Sequence, residues 1–155
     1  KSKRFCPHFH LSLQSACDKT LRSMNRFYKV DDYLQLIEDI NNRFDLPFLG
    51  SDIIAGFAGE SDDDFQITVD NLKKSGLTQI HTFPYSKRAG TVGAGMQNQV
   101  DDCIKNKRAE IIKAISKDKY NYFILQNLQK KREVLVEKHL DKNKNLKNKL
   151  PKMNH

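Results

Sequence analysis

The sequence predicts an α/β fold in which parallel strands are joined by crossover helices. Three observations predict it. Short, largely apolar runs fit strands, runs with apolar residues three and four apart fit helices, and the two kinds alternate along the chain.

His8 to Leu13 (HFHLSL) alternates as a first strand and ends at the polar pair Gln14–Ser15. Asp18 is placed to cap a short helix with Leu21 and Met24 on one face, and Asp31 to cap a second. In that second helix Tyr33, Leu36, Ile37, Ile40 and Phe44 recur at helical spacing, and Pro47 blocks its continuation. Phe48 to Phe57 (FLGSDIIAGF) is apolar around a central Asp52, and Gly56 and Gly59 close it. It reads as a buried parallel strand running into a glycine turn. Ser61 and Asp64 resemble a capping box for a helix through Phe65, Val69 and Leu72 to Lys74, with Gly76 at the C-terminal cap position. Leu77 to Tyr85 is a third strand, and the glycine-rich stretch from Ser86 to Gln99 is a loop. Val100 to about Gln129 is a long helix with a break near Lys117–Lys119. Arg132 to His139 alternates as a strand, and Asp141 to His155 has no apolar pattern and is expected to be disordered. Three strand–helix units leave an open arc with unpaired edges, too little to close a barrel.

Composition narrows the class. With 38% hydrophobic and 30% charged residues, a soluble globular chain is expected, and no apolar run approaches the roughly 20 residues of a membrane span. No apolar segment follows the basic Lys1–Arg4, so a secretory signal is not indicated. The net charge of +8 is uneven: residues 105–155 hold 15 Lys/Arg against 5 Asp/Glu, residues 1–104 hold 12 against 14. A basic C-terminal third suits a polyanion partner, or is a solvated helix and tail. Cys6, Cys17 and Cys103 form no CxxC pair, which argues against a zinc site or disulfide framework and for a reduced, cytoplasmic setting.

In parallel α/β folds, ligands collect at the carboxyl ends of strands. Three clusters fall there: Gln14–Ser15, the Gly56–Glu60 turn, and Tyr85 to Arg88. An amide and a hydroxyl at 14–15 suit ribose hydroxyls or a carboxylate, or cap a turn. Gly56 and Gly59 permit close backbone approach, and the helix after Ser61 aims N–H groups at the same spot; the turn alone also accounts for both glycines. Asp52 needs a partner within its apolar strand, as an ion pair or a site carboxylate. His81 is a satisfied core histidine or a site residue. His8 and His10 share one strand face, with no third metal ligand near in sequence. Lys87 and Arg88 beside Tyr85 suit a phosphate or nucleobase, or form a solvated loop.

Taken together, HLSLQS (10–15), TLRSMNRFY (20–28), SDIIAGFAGE (51–60), DDF (63–65) and HTFPYSKRAGT (81–91) resemble the radical-SAM tRNA methylthiotransferases in order and approximate spacing, over roughly residues 5–115. HLSLQS, MNR and FPYSKR most resemble the branch that methylthiolates C2 of N6-threonylcarbamoyladenosine in tRNA. The alternatives are the branch acting on isopentenyl-adenosine tRNA and a non-catalytic RNA-binding module using the basic third.

The resemblance implies that residues 1–118 supply units four to six of a partial, TIM-like (β/α)6 radical-SAM barrel. Residues 119–155 would then hold a linker helix, the entry to a small tRNA-binding β domain and a basic tail. It implies S-adenosylmethionine as cofactor, tRNA as partner, an unspecified sulfur donor, and 4Fe–4S clusters that generate the radical and deliver sulfur. The CxxxCxxC triad of the radical cluster is absent from this sequence, so the cluster ligands are expected in a longer parent and this chain alone is expected not to turn over.

Carried over by motif, Gln14 and Ser15 would approach the ribose or methionine portion of the cofactor. The segment from Asp52 through Gly56 and Gly59 to Glu60 would border adenine. His81 and Tyr85 would contact adenine or line the radical cavity, Arg26 would meet the cofactor carboxylate, and Lys87 and Arg88 the tRNA. The sequence departs from the pattern where Ala16 replaces the glycine of QSG, a strain if that position needs positive φ. It also departs at Ala58, where GFPGET has become GFAGES.

Overall fold

The computed structural model describes residues 6–132. Its elements are β1 (His8–Gln14), α1 (Asp18–Ser23), α2 (Val30–Arg43), β2 (Phe48–Ala55), α3 (Asp62–Lys74), β3 (Gln79–Pro84), α4 (Val92–Gly95) and α5 (Asp102–Asn127). The strands form one three-stranded sheet in the order β1-β2-β3, parallel throughout. Parallel neighbours require their connections to cross over the sheet, and α1, α2 and α3 do so. The expected open α/β arc is what forms. The expected strand at 132–139 and the tail at 141–155 lie outside the described residues.

One face of the sheet is the core side. Leu13, Leu49, Ile53, Ala55 and Ile80 alternate inward along the strands and meet Leu21, Tyr33, Ile37, Phe65, Val69, Leu72, Ala109 and Ile112 from the helices. The opposite face carries His10 and His81, both exposed, with Asp52 between them and Phe83 54% exposed. Tyr33 anchors α2 to the sheet: its hydroxyl lies 2.8 Å from the Leu11 carbonyl and 3.1 Å from Ser51 Oγ, and burial pushes it up to about 12.

Several local expectations shift. Cys17, not Asp18, precedes α1, and Asp18 Oδ1 instead accepts from the Val30 N–H at the start of α2. It thereby satisfies one of that helix's open amides. Lys29 is the cap residue of α2, with Asp31 inside its first turn. Leu36 faces solvent at 46% exposure, because Tyr33 and Ile37 already fill the inward stripe. Gly76 does not cap α3, whose cap is Ser75. A side chain at Gly76 would strike Asn41 of α2, whose amide donates to the Gly76 carbonyl. The break expected near Lys117–Lys119 does not occur. Lys119 Nζ reaches the carbonyls of Lys73 and Ser75 from an unbroken α5, and so satisfies the end of α3.

Candidate functional site

Parallel pairing puts all three strand ends on one edge of the sheet. Gln14 pairs with Ile53, Ala55 pairs with Pro84, and Tyr85 N–H donates to the Ala55 carbonyl. Gln14, Gly56 and Tyr85 therefore stand at neighbouring ends, on one rim.

At the first end the pairing slips between Leu11 and Gln14, and Gln14 takes φ 69°, a left-handed conformation a side chain rarely adopts. The strain falls on Gln14 and not on Ala16, which is fully buried and not among the positive-φ residues. Ser15 is also fully buried, and its Oγ accepts from Cys17 N–H at 3.3 Å. Arg26 is exposed and near enough to Tyr28 to bear on its ionisation; burial raises the Tyr28 hydroxyl and Arg26 lowers it. Tyr28 in turn donates to the Leu13 carbonyl at 2.7 Å.

At the second end Gly56 has φ 75°, and a Cβ there would lie 2.4 Å from Lys105 Cγ. Gly56 thus admits α5 against the turn, a packing reason for the glycine. Gly59 has φ 83° but open space where a Cβ would stand, and its N–H donates to the Asn98 carbonyl at 2.6 Å. Glu60 is buried behind the turn. Its Oε2 accepts from Gly56 N–H and from Arg108 Nη1, each at 2.7 Å. Burial raises the Glu60 carboxyl above its usual range, against the opposing pull of the Gly56 N–H and Arg108.

The start of α3 offers an anion little. Ser61 Oγ accepts from Asp64 N–H and Asp64 Oδ2 accepts from Ser61 N–H, a reciprocal capping box, and the first turn carries Asp62, Asp63 and Asp64. The open N–H groups expected there are partly spent on the cap, and three carboxylates repel negative charge.

At the third end Tyr85 packs edge-on against Phe57 at 4.8 Å between ring centres, with Lys105 Nζ 5.7 Å from its own ring centre. Lys87 and Arg88 are exposed beyond it. A cavity of about 540 Å³ opens here, lined by Tyr85, Ser86, Lys87, Asp102, Lys105 and Asn106 among others. A second cavity, of about 450 Å³, lies at the opposite end of the sheet, by Leu46, Pro47, Leu77, Tyr122 and Phe123.

Midway along the open face, His10 Nε2 lies 3.2 Å from Asp52 Oδ1, so the strand carboxylate has the partner its setting demands. His81 stands directly across from Asp52, its ring 5.7 Å from that of His10. Gly50 leaves room for the imidazole, since a Cβ there would come within 3.2 Å of His10 Nδ1. Among the described residues no group of three His, Cys, Asp or Glu is close enough to hold a metal. Cys17 is buried, its thiol 3.8 Å from Asp64 Oδ1, while Cys6 and Cys103 are exposed and far apart in sequence. Among the described residues, this set does not fit an iron–sulfur cluster.

Sequence reasoning missed Lys105 and Arg108, both buried on α5 behind the rim. The signal was present: they fall seven and four residues before Ile112, on the same stripe as Ala109, Ile112, Ile115 and Ser116. A cation on a buried stripe demands an acceptor from another element.

No family model matches the chain. It is similar to tRNA-2-methylthio-N(6)-dimethylallyladenosine synthases: 43% identical over 133 residues to that of Bartonella bacilliformis and 41% over 133 to that of Bartonella henselae. Each alignment covers 85% of this chain and 29% of the relative. The synthase of Lachnoclostridium phytofermentans is 38% identical over 136 residues, 88% of this chain and 30% of its own. The names of these relatives favour the isopentenyl-type alternative over the threonylcarbamoyl branch. Over most of its length, then, the chain is similar to about three tenths of a tRNA-2-methylthio-N(6)-dimethylallyladenosine synthase.

Proposed function

We propose that this chain is the later part of the catalytic barrel of a tRNA methylthiotransferase, with its nucleoside cofactor at the rim of Gln14, Gly56–Gly59 and Tyr85. One observation carries the reading: three glycine- or polar-ended strands bring their carboxyl ends to one edge, in a chain similar to enzymes named for tRNA methylthiolation. In this reading β1, β2 and β3 are units four to six, and the remaining units complete the arc.

The rim fits S-adenosylmethionine in part. Gln14 is half-buried with no hydrogen bond to its amide among the described residues, and Gly59 faces open space, so both can meet a nucleoside. Arg26, exposed near the first strand end, suits the cofactor carboxylate. Glu60 and Ser15 are buried and act from behind, holding the turns. When bound, the cofactor supplies the radical and the methyl group. This chain's residues bind and orient it, and the open face with His10, Asp52 and His81 would form one wall of the space that the remaining units enclose. Lys87 and Arg88, exposed past Tyr85, would meet tRNA phosphates.

The named relatives favour dimethylallyladenosine as the modified base, while the HLSLQS, MNR and FPYSKR motifs favour threonylcarbamoyladenosine. Mass spectrometry of tRNA nucleosides from cells lacking the gene decides. Loss of 2-methylthio from one of these two adenosines supports the reading and names the base. An unchanged nucleoside profile overturns it.

A further inference from the structure

We propose that Arg108 is a positioning residue for the cofactor turn, clamping Gly56–Glu60 from behind so that its Gly59 edge meets the nucleoside at a fixed height. The inference rests on the proposed function, because it takes that turn as the cofactor's seat.

Arg108 is only 5% exposed, and its guanidinium reaches three oxygens. Nη1 donates to Glu60 Oε2 at 2.7 Å and to the Glu60 carbonyl at 3.0 Å, and Nη2 donates to Asp62 Oδ1 at 2.7 Å. The same Glu60 Oε2 accepts from Gly56 N–H at 2.7 Å, so one carboxylate oxygen joins the first residue of the turn to α5. The guanidinium carbon lies 5.2 Å from the centre of the Phe65 ring, which adds a cation–π contact to the hydrogen bonds. Gly56 has no side chain to hold it and sits at positive φ, and Gly59 has open space before it. Left to itself this backbone is the most compliant part of the rim. A planar fork touching two oxygens of Glu60 and one of Asp62 just beyond the turn removes that freedom, which a single ammonium cannot do.

One turn along α5, Lys105 closes on the same glycine and stands beneath Tyr85, with its amine bonded to Asp102 at 2.8 Å. The helix therefore holds the second and third strand ends in one register. Partners of the clamp are all on the protein: neither Arg108 nor Glu60, whose side chains are 6% and 1% exposed, is open to a ligand. Arg108 thus acts through the turn and does not touch the cofactor.

The test uses the full-length enzyme that carries this chain, with S-adenosylmethionine binding read by calorimetry alongside steady-state kinetics and thermal unfolding. Arg108→Lys keeps the charge and loses the fork. The expected result is an affinity for S-adenosylmethionine and a KM weakened about tenfold, kcat within about threefold, and tRNA affinity within about twofold. Glu60→Gln, which retains an acceptor for Gly56 N–H but loses the charge, is expected to do the same if Arg108→Lys fails to fold. Loss of activity in proportion to the folded fraction, with KM unchanged, would make Arg108 merely structural and overturn the proposal. A wild-type enzyme that binds no S-adenosylmethionine would sink the proposed function itself, and the clamp's role with it.

Discussion

Asp64 Oδ2 accepts a 2.7 Å hydrogen bond from Lys19 Nζ, and so ties the helix after β2 to the helix after β1. The same carboxylate receives Ser61 N–H at 2.9 Å and lies 3.8 Å from the Cys17 thiol. Two of the three strand ends are thereby fastened together, and Asn71, which donates to the Ala16 carbonyl at 2.9 Å, adds a second tie.

Acid should loosen that fastening. Burial alone would raise the Asp64 carboxyl, but Lys19 and the Ser61 N–H and hydroxyl outweigh it and hold it at about 2, below its ordinary 3.8. A depressed carboxyl stabilises the fold above its unfolded value, and that share is lost as pH falls from about 4 towards about 2. Its size is at most about 2.5 kcal/mol, less as water screens the exposed ammonium. Urea unfolding of Asp64→Asn should show a lower midpoint than wild type at pH 6 and convergence with it near pH 2. Parallel curves at every pH would refute the assignment.

The two turn glycines should respond differently to alanine. Gly56→Ala meets both positive φ and the Lys105 side chain, and an unfolding loss of about 2–4 kcal/mol is expected. Gly59→Ala meets positive φ alone, and about 1 kcal/mol is expected. Equal losses in denaturant unfolding would mean that α5 does not press on Gly56.

Tyr33→Phe removes the hydroxyl that joins α2 to Leu11 and Ser51, and should cost about 1 kcal/mol. Because burial raises that phenol to about 12, it stays protonated in the fold while the unfolded chain ionises near 10. Stability should therefore fall as pH rises past 10, and fall less in the variant. Ultraviolet titration of the folded protein that shows Tyr33 ionising with the ordinary phenols would contradict this.

Arg88→Ala in the parent enzyme is expected to weaken tRNA handling more than cleavage of S-adenosylmethionine. Removing one phosphate contact should also make binding less salt-dependent, by a slope of about 0.7–0.9. Cofactor cleavage that falls as far as tRNA binding would place Arg88 elsewhere.

Much of this architecture could be read from residue order. HFHLSL, the run around Asp52, and the stretch ending at Tyr85 become the three strands, because alternation and apolar runs report which faces are buried. The capping box at Ser61 and Asp64 was legible for the same local reason. What escaped was long-range. Arg108 meets Glu60 across 48 residues, and Asp18 serves the start of α2 rather than its own helix, partners that only the folded chain brings together. Motif position also could not tell that Glu60 lies behind its turn, buried against Arg108. Four residues of helix at Val92–Gly95 were hidden in a glycine-rich stretch with no periodicity.

The most direct test of the rim is photo-crosslinking of radiolabelled S-adenosylmethionine to the full-length enzyme, followed by peptide mapping. Label is expected in peptides holding Gln14, Gly56–Gly59 or Tyr85. Label confined to the cavity at the other end of the sheet, at Leu46–Pro47 or Tyr122–Phe123, would contradict the account.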